Sequence, residues 1–176
     1  MRVLICYSSK TGNTRKLATA IESITPYACD IAEISPAIFS EISNYDLILI
    51  GYWVEGSKAD KNTLEFLKQV ENKRIALFGT CGTDPEHPYV KSILKRTEEE
   101  LSNTNELMGH IICRGEIAVE VIDNFEQLVK LQPENQSLKT LLSQFKSQYP
   151  GSIGHPNEED LKKVRQLFSD IFEKLG

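Results

Sequence analysis

The sequence predicts an α/β fold, a doubly wound parallel sheet of five strands with helices on both faces. Compact apolar segments alternate with segments whose apolar residues recur at helical spacing over about the first 115 residues. The apolar segments are continuous runs instead of strict alternations, which is typical of strands buried on both faces. The chain has 176 residues, of which 40% are apolar, and this is enough for one domain with a packed core.

The elements follow one another in a regular order. The first strand candidate is 2–7, and a polar turn separates it from a helix that starts near Thr14 and ends before Pro26. The other strand candidates are 27–34, 45–51, 74–79 and 107–113. The other helix candidates are 36–42, which is a short helix or a turn, 62–70 and 88–101. Right-handed crossovers between parallel strands leave few possible topologies for such a chain.

The C-terminal part departs from this alternation, and residues 116–155 are predicted as a helical insertion. Its elements are a helix at 117–131, a second short helix around 138–145 and a loop at 150–156. Asn157 then caps a last helix, with Asp160 at the capping-box position. The wide apolar stripe of this helix predicts that it docks on the sheet. The chain is therefore interpreted as one domain, residues 1–176, with the insertion before the closing helix.

Composition and charge exclude several classes of protein. The formal net charge is −5, so a nucleic-acid-binding surface of clustered Lys and Arg is not expected. No apolar run approaches the length of a membrane span, and the run near the N-terminus is too short for a signal peptide. The four cysteines form no CxxC pair, and the three histidines form no metal-binding pair. We therefore expect reduced thiols, no metal site and a cytoplasmic location.

The strongest candidate for a binding site is Ser9-Lys-Thr-Gly-Asn-Thr14, between the first strand and the first helix. Backbone N–H groups of such a loop can converge on an anion, and the following helix N-terminus adds its positive dipole end. Gly12 allows close approach, and the hydroxyls of Ser9, Thr11 and Thr14 add donors. The loop suits a monophosphate, since neither GxxxxGK[ST] nor GxGxxG is present. These residues alone leave open an ordinary polar turn in which a Thr caps the helix.

This segment resembles the FMN phosphate loop of the flavodoxin family, [ST]-x-T-G-x-T after a first strand that ends in an aromatic residue, here Tyr7. Two neighbours depart from the strictest form of the pattern: Cys6 replaces a larger apolar residue, and Leu17 precedes the expected Ala at position 18. The resemblance implies a flavodoxin-like sheet ordered 2-1-3-4-5 and FMN as the cofactor. The residues that it implies around the phosphate are Ser9, Lys10, Thr11, Gly12, Asn13 and Thr14.

A second group of candidate residues follows the third strand, at 51–56. The first and third strands of such a sheet flank the switch point where ligands bind. A flat flavin ring needs an apolar wall and backbone groups along its polar edge. The segment resembles the first flavin-contacting loop of flavodoxins, which implies a stacking aromatic residue and a Gly whose peptide can turn toward the ring. We expect Tyr52 and Trp53 to form this wall, with Val54 and Gly56 beside it; the alternative is that both aromatic residues belong to the core.

A third group lies between Phe78 and Tyr89 and resembles the second flavin loop of the family, with small length changes and two added prolines. Backbone groups of Thr80, Cys81 and Gly82 are expected at the pyrimidine edge of the ring. Tyr89 is either an outer wall of the ring or the first buried residue of the next helix. Cys81 is interpreted as a small residue in a tight loop, because no second Cys lies nearby in the sequence.

The resemblance implies an electron carrier that docks with redox partner proteins, a reductase and an acceptor, and that uses no catalytic side chain. Two alternatives stay open: an FMN-dependent oxidoreductase of the quinone-reductase kind that uses NAD(P)H directly, and a flavin-less module that keeps only the fold. Segments 51–54 and 154–156 also resemble a group of bacterial flavodoxin-like proteins, some associated with bilirubin reduction. The insertion has no counterpart in short flavodoxins, and we expect it to pack near the flavin edge and to influence partner choice.

Overall fold

Six strands form the sheet in the computed structural model, which describes residues 1–176. The strands are β1 (Arg2–Tyr7), β2 (Ala28–Glu33), β3 (Leu47–Glu55), β4 (Lys58–Ala59), β5 (Arg74–Cys81) and β6 (Glu106–Arg114). The five long strands are parallel and lie in the order β2-β1-β3-β5-β6, whereas β4 pairs antiparallel with the end of β3. The predicted order 2-1-3-4-5 is confirmed, because β5 and β6 are the fourth and fifth long strands of the chain.

Helices cover both faces of this sheet. They are α1 (Asn13–Glu22), α2 (Pro36–Glu41), α3 (Lys61–Leu67), α4 (Pro88–Glu98), α5 (Val119–Leu131), α6 (Gln136–Ser152) and α7 (Glu158–Leu175). A short 3-10 turn, Ile42–Asn44, follows α2. Helices α1 and α7 pack on one face, and α3 and α4 pack on the other. No helix has an apolar stretch long enough to cross a bilayer.

Successive residues of each long strand point to opposite faces, which divides the core into two clusters. In β1, Val3 and Ile5 pack with α1 and α7, whereas Leu4 and Cys6 pack with α3 and α4. All four of these side chains are fully buried. The continuous apolar runs in the sequence therefore reflect burial on both faces of the sheet.

Two glycines make room for aromatic rings where β3 and β5 pair. Gly51 lies opposite Phe78, and Tyr52 lies opposite Gly79. A Cβ at Gly79 would lie 2.6 Å from Cζ of the Tyr52 ring, and a Cβ at Gly51 would overlap the Phe78 ring. Because neighbouring strand residues face opposite sides, one ring fills the space on each side of the sheet.

β3 continues past its predicted end at Gly51 as far as Glu55 and then turns back into β4. The turn residues are Gly56 and Ser57, and Gly56 has a φ of +67°. This hairpin places residues 53–57 on a hydrogen-bonded ribbon instead of the predicted loop. A Gly-Ser pair between two strand segments is a signal for such a two-residue turn.

The segment 116–155 contains α5 and α6, which pack against each other as a helical hairpin. Phe125 and Phe145 lie at its centre, with ring centroids 5.0 Å apart. Lys146 Nζ lies 2.7 Å from Glu126 Oε1 and adds an ion pair between the two helices. The hairpin therefore has a small apolar contact of its own beside the main core.

The predicted loop at 150–156 is wrong over its first residues, because α6 continues to Ser152 with Pro150 inside the helix. Pro150 has no N–H to donate within the last turn. The hydroxyl of Ser152 ties this last turn to the start of the insertion, since it donates to Tyr149 O at 2.8 Å and accepts from the Ile117 N–H at 3.0 Å. Contacts with a distant part of the chain thus stabilise the last turn of α6, where Pro150 in the sequence predicts the end of the helix.

The predicted capping box at the start of α7 is confirmed. The side-chain oxygen of Asn157 accepts from the backbone N–H of Asp160, and the Asp160 carboxylate accepts from the Asn157 N–H. The same carboxylate oxygen lies 2.6 Å from Nδ1 of His155. Asp160 therefore joins the loop before α7 to the first turn of that helix.

Candidate functional site

Three loops lie together at the carboxyl ends of β1, β3 and β5. They are the phosphate loop at 8–12, the tip of the β3–β4 hairpin at 53–57 and the second loop at 82–87. β1 and β3 are neighbours in the sheet, while the chain leaves β1 for β2 on the other side. This edge therefore contains the switch point at which doubly wound sheets bind ligands. Every predicted site residue lies in one of these loops or beside one.

The phosphate loop presents backbone donors that the protein leaves unpaired. The N–H groups of Lys10, Thr11 and Gly12 donate to no protein acceptor. Gly12 has a φ of +88°, and the space beside its Cα is open. It is also the N-cap of α1, a position that provides no side-chain cap, so no Thr caps this helix. Free N–H groups at an uncapped helix N-terminus form an arrangement suited to an anion.

The three predicted hydroxyl donors differ in their surroundings. Ser9 Oγ accepts from the Arg15 N–H at 3.4 Å, and Thr11 is exposed. Thr14 is fully buried, with Oγ1 3.2 Å from Tyr52 O and 3.1 Å from Thr80 Oγ1. The Thr14 hydroxyl therefore connects α1 to β3 and β5 inside the core, and its role at the phosphate stays a prediction.

Trp53 is the only Trp of the chain and lies near the end of β3, where it pairs with Thr80 of β5. Its side chain is partly exposed, as is that of Val54. Lys10 reaches across from the phosphate loop, with Nζ 5.3 Å from the centroid of the Trp53 ring. Trp53 therefore offers a flat aromatic surface close to the phosphate loop, where the sequence predicts the wall of the ring site.

Tyr52 does not belong to this wall, and the prediction for it is wrong. Its side chain is fully buried on the side of the sheet that α3 and α4 cover. Its ring lies over Gly79, and its hydroxyl lies 2.6 Å from Nε2 of His110 on β6. Burial raises the pKa of the Tyr52 phenol well above its usual value, so it is a neutral core group. The alternative that treats this aromatic residue as core is correct for Tyr52.

His110 connects Tyr52 to a carboxylate. Its Nδ1 lies 2.7 Å from Oε1 of Glu98 in the last turn of α4. Burial lowers the pKa of His110, and the contact with Glu98 works in the opposite direction. No group of three or more His, Cys, Asp or Glu side chains in the chain is arranged to hold a metal ion. His110 is therefore a structural hydrogen-bonding residue in this fold.

Tyr89 connects the hairpin tip to α4. It is the second residue of α4, its side chain is 37% exposed, and its hydroxyl donates to Gly56 O at 2.5 Å. The alternative in which Tyr89 is the first buried residue of the helix is therefore wrong. The bond fixes the carbonyl of Gly56 and brings the aromatic ring of Tyr89 to the rim of the site.

The end of β5 supplies two of the three residues predicted at the pyrimidine edge. Thr80 and Cys81 are both buried, and Cys81 O accepts from the Gly115 N–H at 2.8 Å. Burial raises the pKa of the Cys81 thiol to about 11, and the thiol donates to Thr83 O at 3.3 Å. Gly82, outside the strand, keeps a backbone N–H with no protein acceptor. Gly82 is therefore the residue of this group with a backbone donor to offer a ligand.

The insertion contacts the start of α1 and the second loop through two side-chain hydrogen bonds. Asn13 Nδ2 donates to Glu116 O at 3.0 Å, which joins the N-terminus of α1 to the start of the insertion. The Thr83 hydroxyl donates to Gln148 Oε1 of α6 at 3.2 Å. These pairs are separated by 103 and 65 positions in the chain, so no local sequence pattern reveals them. The expectation that the insertion packs near the site agrees with both contacts.

The similarity of this chain to known proteins extends over its whole length. A family model for the flavodoxin domain matches residues 4–169. The flavodoxin-like domain-containing protein BilS of Clostridioides difficile is 34% identical over 178 residues, covering 100% of this chain and 99% of that protein. A protein of the same name from Clostridium symbiosum is 23% identical over 191 residues, covering 100% of this chain and 98% of that protein.

A solved structure is similar in fold. Oxidised flavodoxin 1 from Bacillus cereus matches with a TM-score of 0.61 and 18% sequence identity, and the match covers 100% of both chains. At this level of identity the similarity shows the arrangement of strands and helices and nothing about individual site residues.

Proposed function

Because this chain belongs to the flavodoxin domain family, we propose that it binds FMN at the carboxyl ends of β1, β3 and β5 and carries electrons from a reductase to an acceptor enzyme. The observation that carries the proposal is the uncapped N-terminus of α1 beside the free N–H groups of residues 10–12. The other helix without a side-chain cap, α5, has Glu120 in its first turn, whereas α1 has no acidic residue there. The start of α1 is thus the helix N-terminus left open to an anion.

The phosphate group of FMN suits this loop in charge and size. Hydrogen bonds from neutral donors to a phosphate are charge-assisted and are stronger than bonds between neutral groups. The exposed Thr11 adds a hydroxyl to the backbone donors, and Gly12 leaves open space beside them. No residue of the first turn of α1 is acidic, so the dipole end faces no competing charge.

The ring of the cofactor would lie against Trp53, between the hairpin and the second loop. FMN supplies the redox-active isoalloxazine ring when it is bound. Trp53 provides an aromatic face, Gly82 a free backbone N–H and Tyr89 an aromatic rim fixed to Gly56. The phosphate loop and Trp53 are already within the reach of one side chain, since Lys10 spans them. These groups fit a flat ring attached to a phosphate through a short linker.

The side chains of the site favour a carrier over an enzyme. Cys81 is a buried, protonated thiol, and Tyr52 and His110 are hydrogen-bonded to each other in the core. None of these three side chains is therefore presented to the ring site as an acid, base or nucleophile. A carrier requires none, because each electron is accepted from a reduced donor protein and passed to an oxidised acceptor protein, with any proton exchanged with water.

The proposal is tested by titrating the flavin-free protein with FMN and, in parallel, with riboflavin, which lacks the phosphate. Quenching of Trp53 and of flavin fluorescence at a one-to-one ratio, with FMN bound far more tightly than riboflavin, is expected. Absence of binding by either compound would overturn the proposal and leave the flavin-less module as the better interpretation. Equal affinities would show that the phosphate loop is not used.

A second measurement separates the carrier from the oxidoreductase. NADH or NADPH is added to the FMN-loaded protein without any reductase, and the flavin absorbance is followed. A carrier is expected to remain oxidised until a ferredoxin- or flavodoxin-type reductase is added. Rapid bleaching by the nicotinamide cofactor alone would identify an enzyme that oxidises NAD(P)H itself.

A further inference from the structure

We propose that Lys10 raises the reduction potential of the bound flavin, because the structure holds its ammonium group over the ring of Trp53. This inference rests on the proposed function and adds a specific role for one residue of the phosphate loop. The loop is otherwise built from neutral groups: the hydroxyls of Ser9 and Thr11 and the backbone of Gly12. Lys10 is therefore the cation that this loop contributes to the site.

The geometry directs Lys10 toward the ring site. Its Nζ lies 5.3 Å from the centroid of the Trp53 ring, within the range of a cation–π contact. The backbone of Trp53 is fixed in the sheet, since Trp53 pairs with Thr80 and the β3–β4 hairpin follows it directly. A ring held against Trp53 would share this side chain with Lys10, so the ammonium group and the ring would be neighbours.

Two lysines beside the β3–β4 hairpin are paired with carboxylates. Lys58 Nζ lies 2.6 Å from Glu100, and Lys61 Nζ lies 3.8 Å from Glu65. Three more cations, Arg15, Lys16 and Arg165, line a groove between α1 and α7. Lys10 forms no ion pair, and its charge is free to act on a neighbouring group.

The sign of the effect follows from elementary electrostatics. Near neutral pH the fully reduced flavin ring carries a negative charge that the oxidised ring lacks. A nearby cation stabilises the charged form more than the neutral form, which raises the potential. The negative phosphate acts in the opposite direction, so Lys10 and the phosphate set the potential together.

The test compares three variants of the FMN-loaded protein by anaerobic titration with dithionite and indicator dyes. Lys10→Met is expected to shift the equilibrium toward the oxidised form by about tenfold, which corresponds to about 30 mV for a two-electron couple. Lys10→Arg keeps the charge and is expected to keep the potential. Lys16→Met removes a charge of the same sign from the α1–α7 groove and is expected to have a much smaller effect. Raising the salt concentration should reduce the difference between wild type and Lys10→Met.

A second readout needs no flavin. Lys10→Met is expected to change the emission of Trp53 in the flavin-free protein, whereas Lys16→Met leaves it unchanged. An unchanged potential in Lys10→Met with FMN bound would overturn this inference alone. A lower affinity for FMN but not for riboflavin, with the reduction potential unchanged, would show that Lys10 serves the phosphate. That result would also overturn this inference. If wild-type protein binds no FMN, the proposed function fails and this inference fails with it.

Discussion

The hydroxyl of Tyr52 lies 2.6 Å from Nε2 of His110, and this contact joins β3 to the edge strand β6 across β5. When Nδ1–H of His110 donates to Glu98, Nε2 is left as the acceptor for the Tyr52 hydroxyl. The His110 side chain is 4% exposed, so its bonds are made away from water. Strand β3, which carries Trp53 next to Tyr52, is therefore held by a buried hydrogen bond to the far edge of the sheet.

Gly79 is the residue that allows this contact, and we expect Gly79→Ala to destabilise the protein. A Cβ there would lie 2.6 Å from the Tyr52 ring, which has no space to move within a packed core. Overpacking of this kind costs about 1–3 kcal/mol, which thermal or urea unfolding resolves. Gly109→Ala is the matched control on β6, because its Cβ would meet the flexible end of Ile171 at 3.0 Å. Equal losses in the two variants would contradict the proposed packing of the Tyr52 ring.

His110 should make the stability of the protein depend on pH. Burial lowers its pKa in the folded state, whereas a histidine in the unfolded chain titrates near about 6.5. The unfolded chain therefore binds the proton first as the pH falls. The contribution of His110 to stability is complete above about pH 6.5 and is lost as the pH falls toward the lowered pKa of the folded state.

The measurement is the free energy of unfolding by urea between about pH 7.5 and pH 5.5, for wild type and for His110→Gln. The stability of the wild type is expected to fall relative to that of the variant as the pH decreases. All other groups titrate in both proteins, so their contributions cancel in the comparison. Parallel curves would show that His110 binds protons equally well in the folded and unfolded states.

The two threonines of the phosphate loop should respond differently to removal of their hydroxyls. Thr11 is exposed beside the free backbone donors. We therefore expect Thr11→Ala to lower the affinity for FMN by about tenfold and to leave the affinity for riboflavin unchanged. Thr14 bonds to Tyr52 O and Thr80 Oγ1, so Thr14→Ala is expected to cost about 1 kcal/mol of stability. Fluorescence titration and thermal unfolding of both variants check this. A loss of FMN affinity in Thr14→Ala alone would reverse the assignment.

Tyr89→Phe should accelerate the release of FMN. The change removes the hydroxyl that donates to Gly56 O and so frees the hairpin tip from α4. A hydrogen bond between neutral groups contributes about 0.5–1.5 kcal/mol, which corresponds to a dissociation rate up to about tenfold faster. Stopped-flow fluorescence after dilution measures the dissociation rate of FMN. Tyr27→Phe is the control, since that hydroxyl donates to Phe172 O at 3.3 Å, away from the three loops. Equal rates in all three proteins would exclude a role for the Tyr89 bond.

Much of the fold can be predicted from the sequence because its strands are buried on both faces and are flanked by turn residues. The capping residues Asn157 and Asp160 likewise mark the start of α7 correctly. The phosphate loop is recognisable since a short polar segment containing Gly12 stands between an apolar run and an amphipathic helix. These are local signals, and each one agrees with the fold around it.

The ring site is harder to predict, as Tyr52 and Trp53 show. The sequence pattern predicts both residues in one wall, yet β3 continues through both, and neighbours in a strand face opposite sides. This alternation places Tyr52 in the core and leaves Trp53 partly exposed on the other side of the sheet. The contacts of Asn13 with Glu116 and of Thr83 with Gln148 join distant parts of the chain, so only the folded structure reveals them.

The two glycine–aromatic pairs of β3 and β5 also limit how the sequence can change during evolution. In each pair, one strand contributes an aromatic ring and the other contributes a glycine, whose lack of a side chain leaves room for that ring. A larger residue at position 79 fits only when position 52 becomes smaller, and the same holds for positions 51 and 78. Related chains are therefore expected to exchange these residues as couples, and a lone substitution at either glycine should be rare among them.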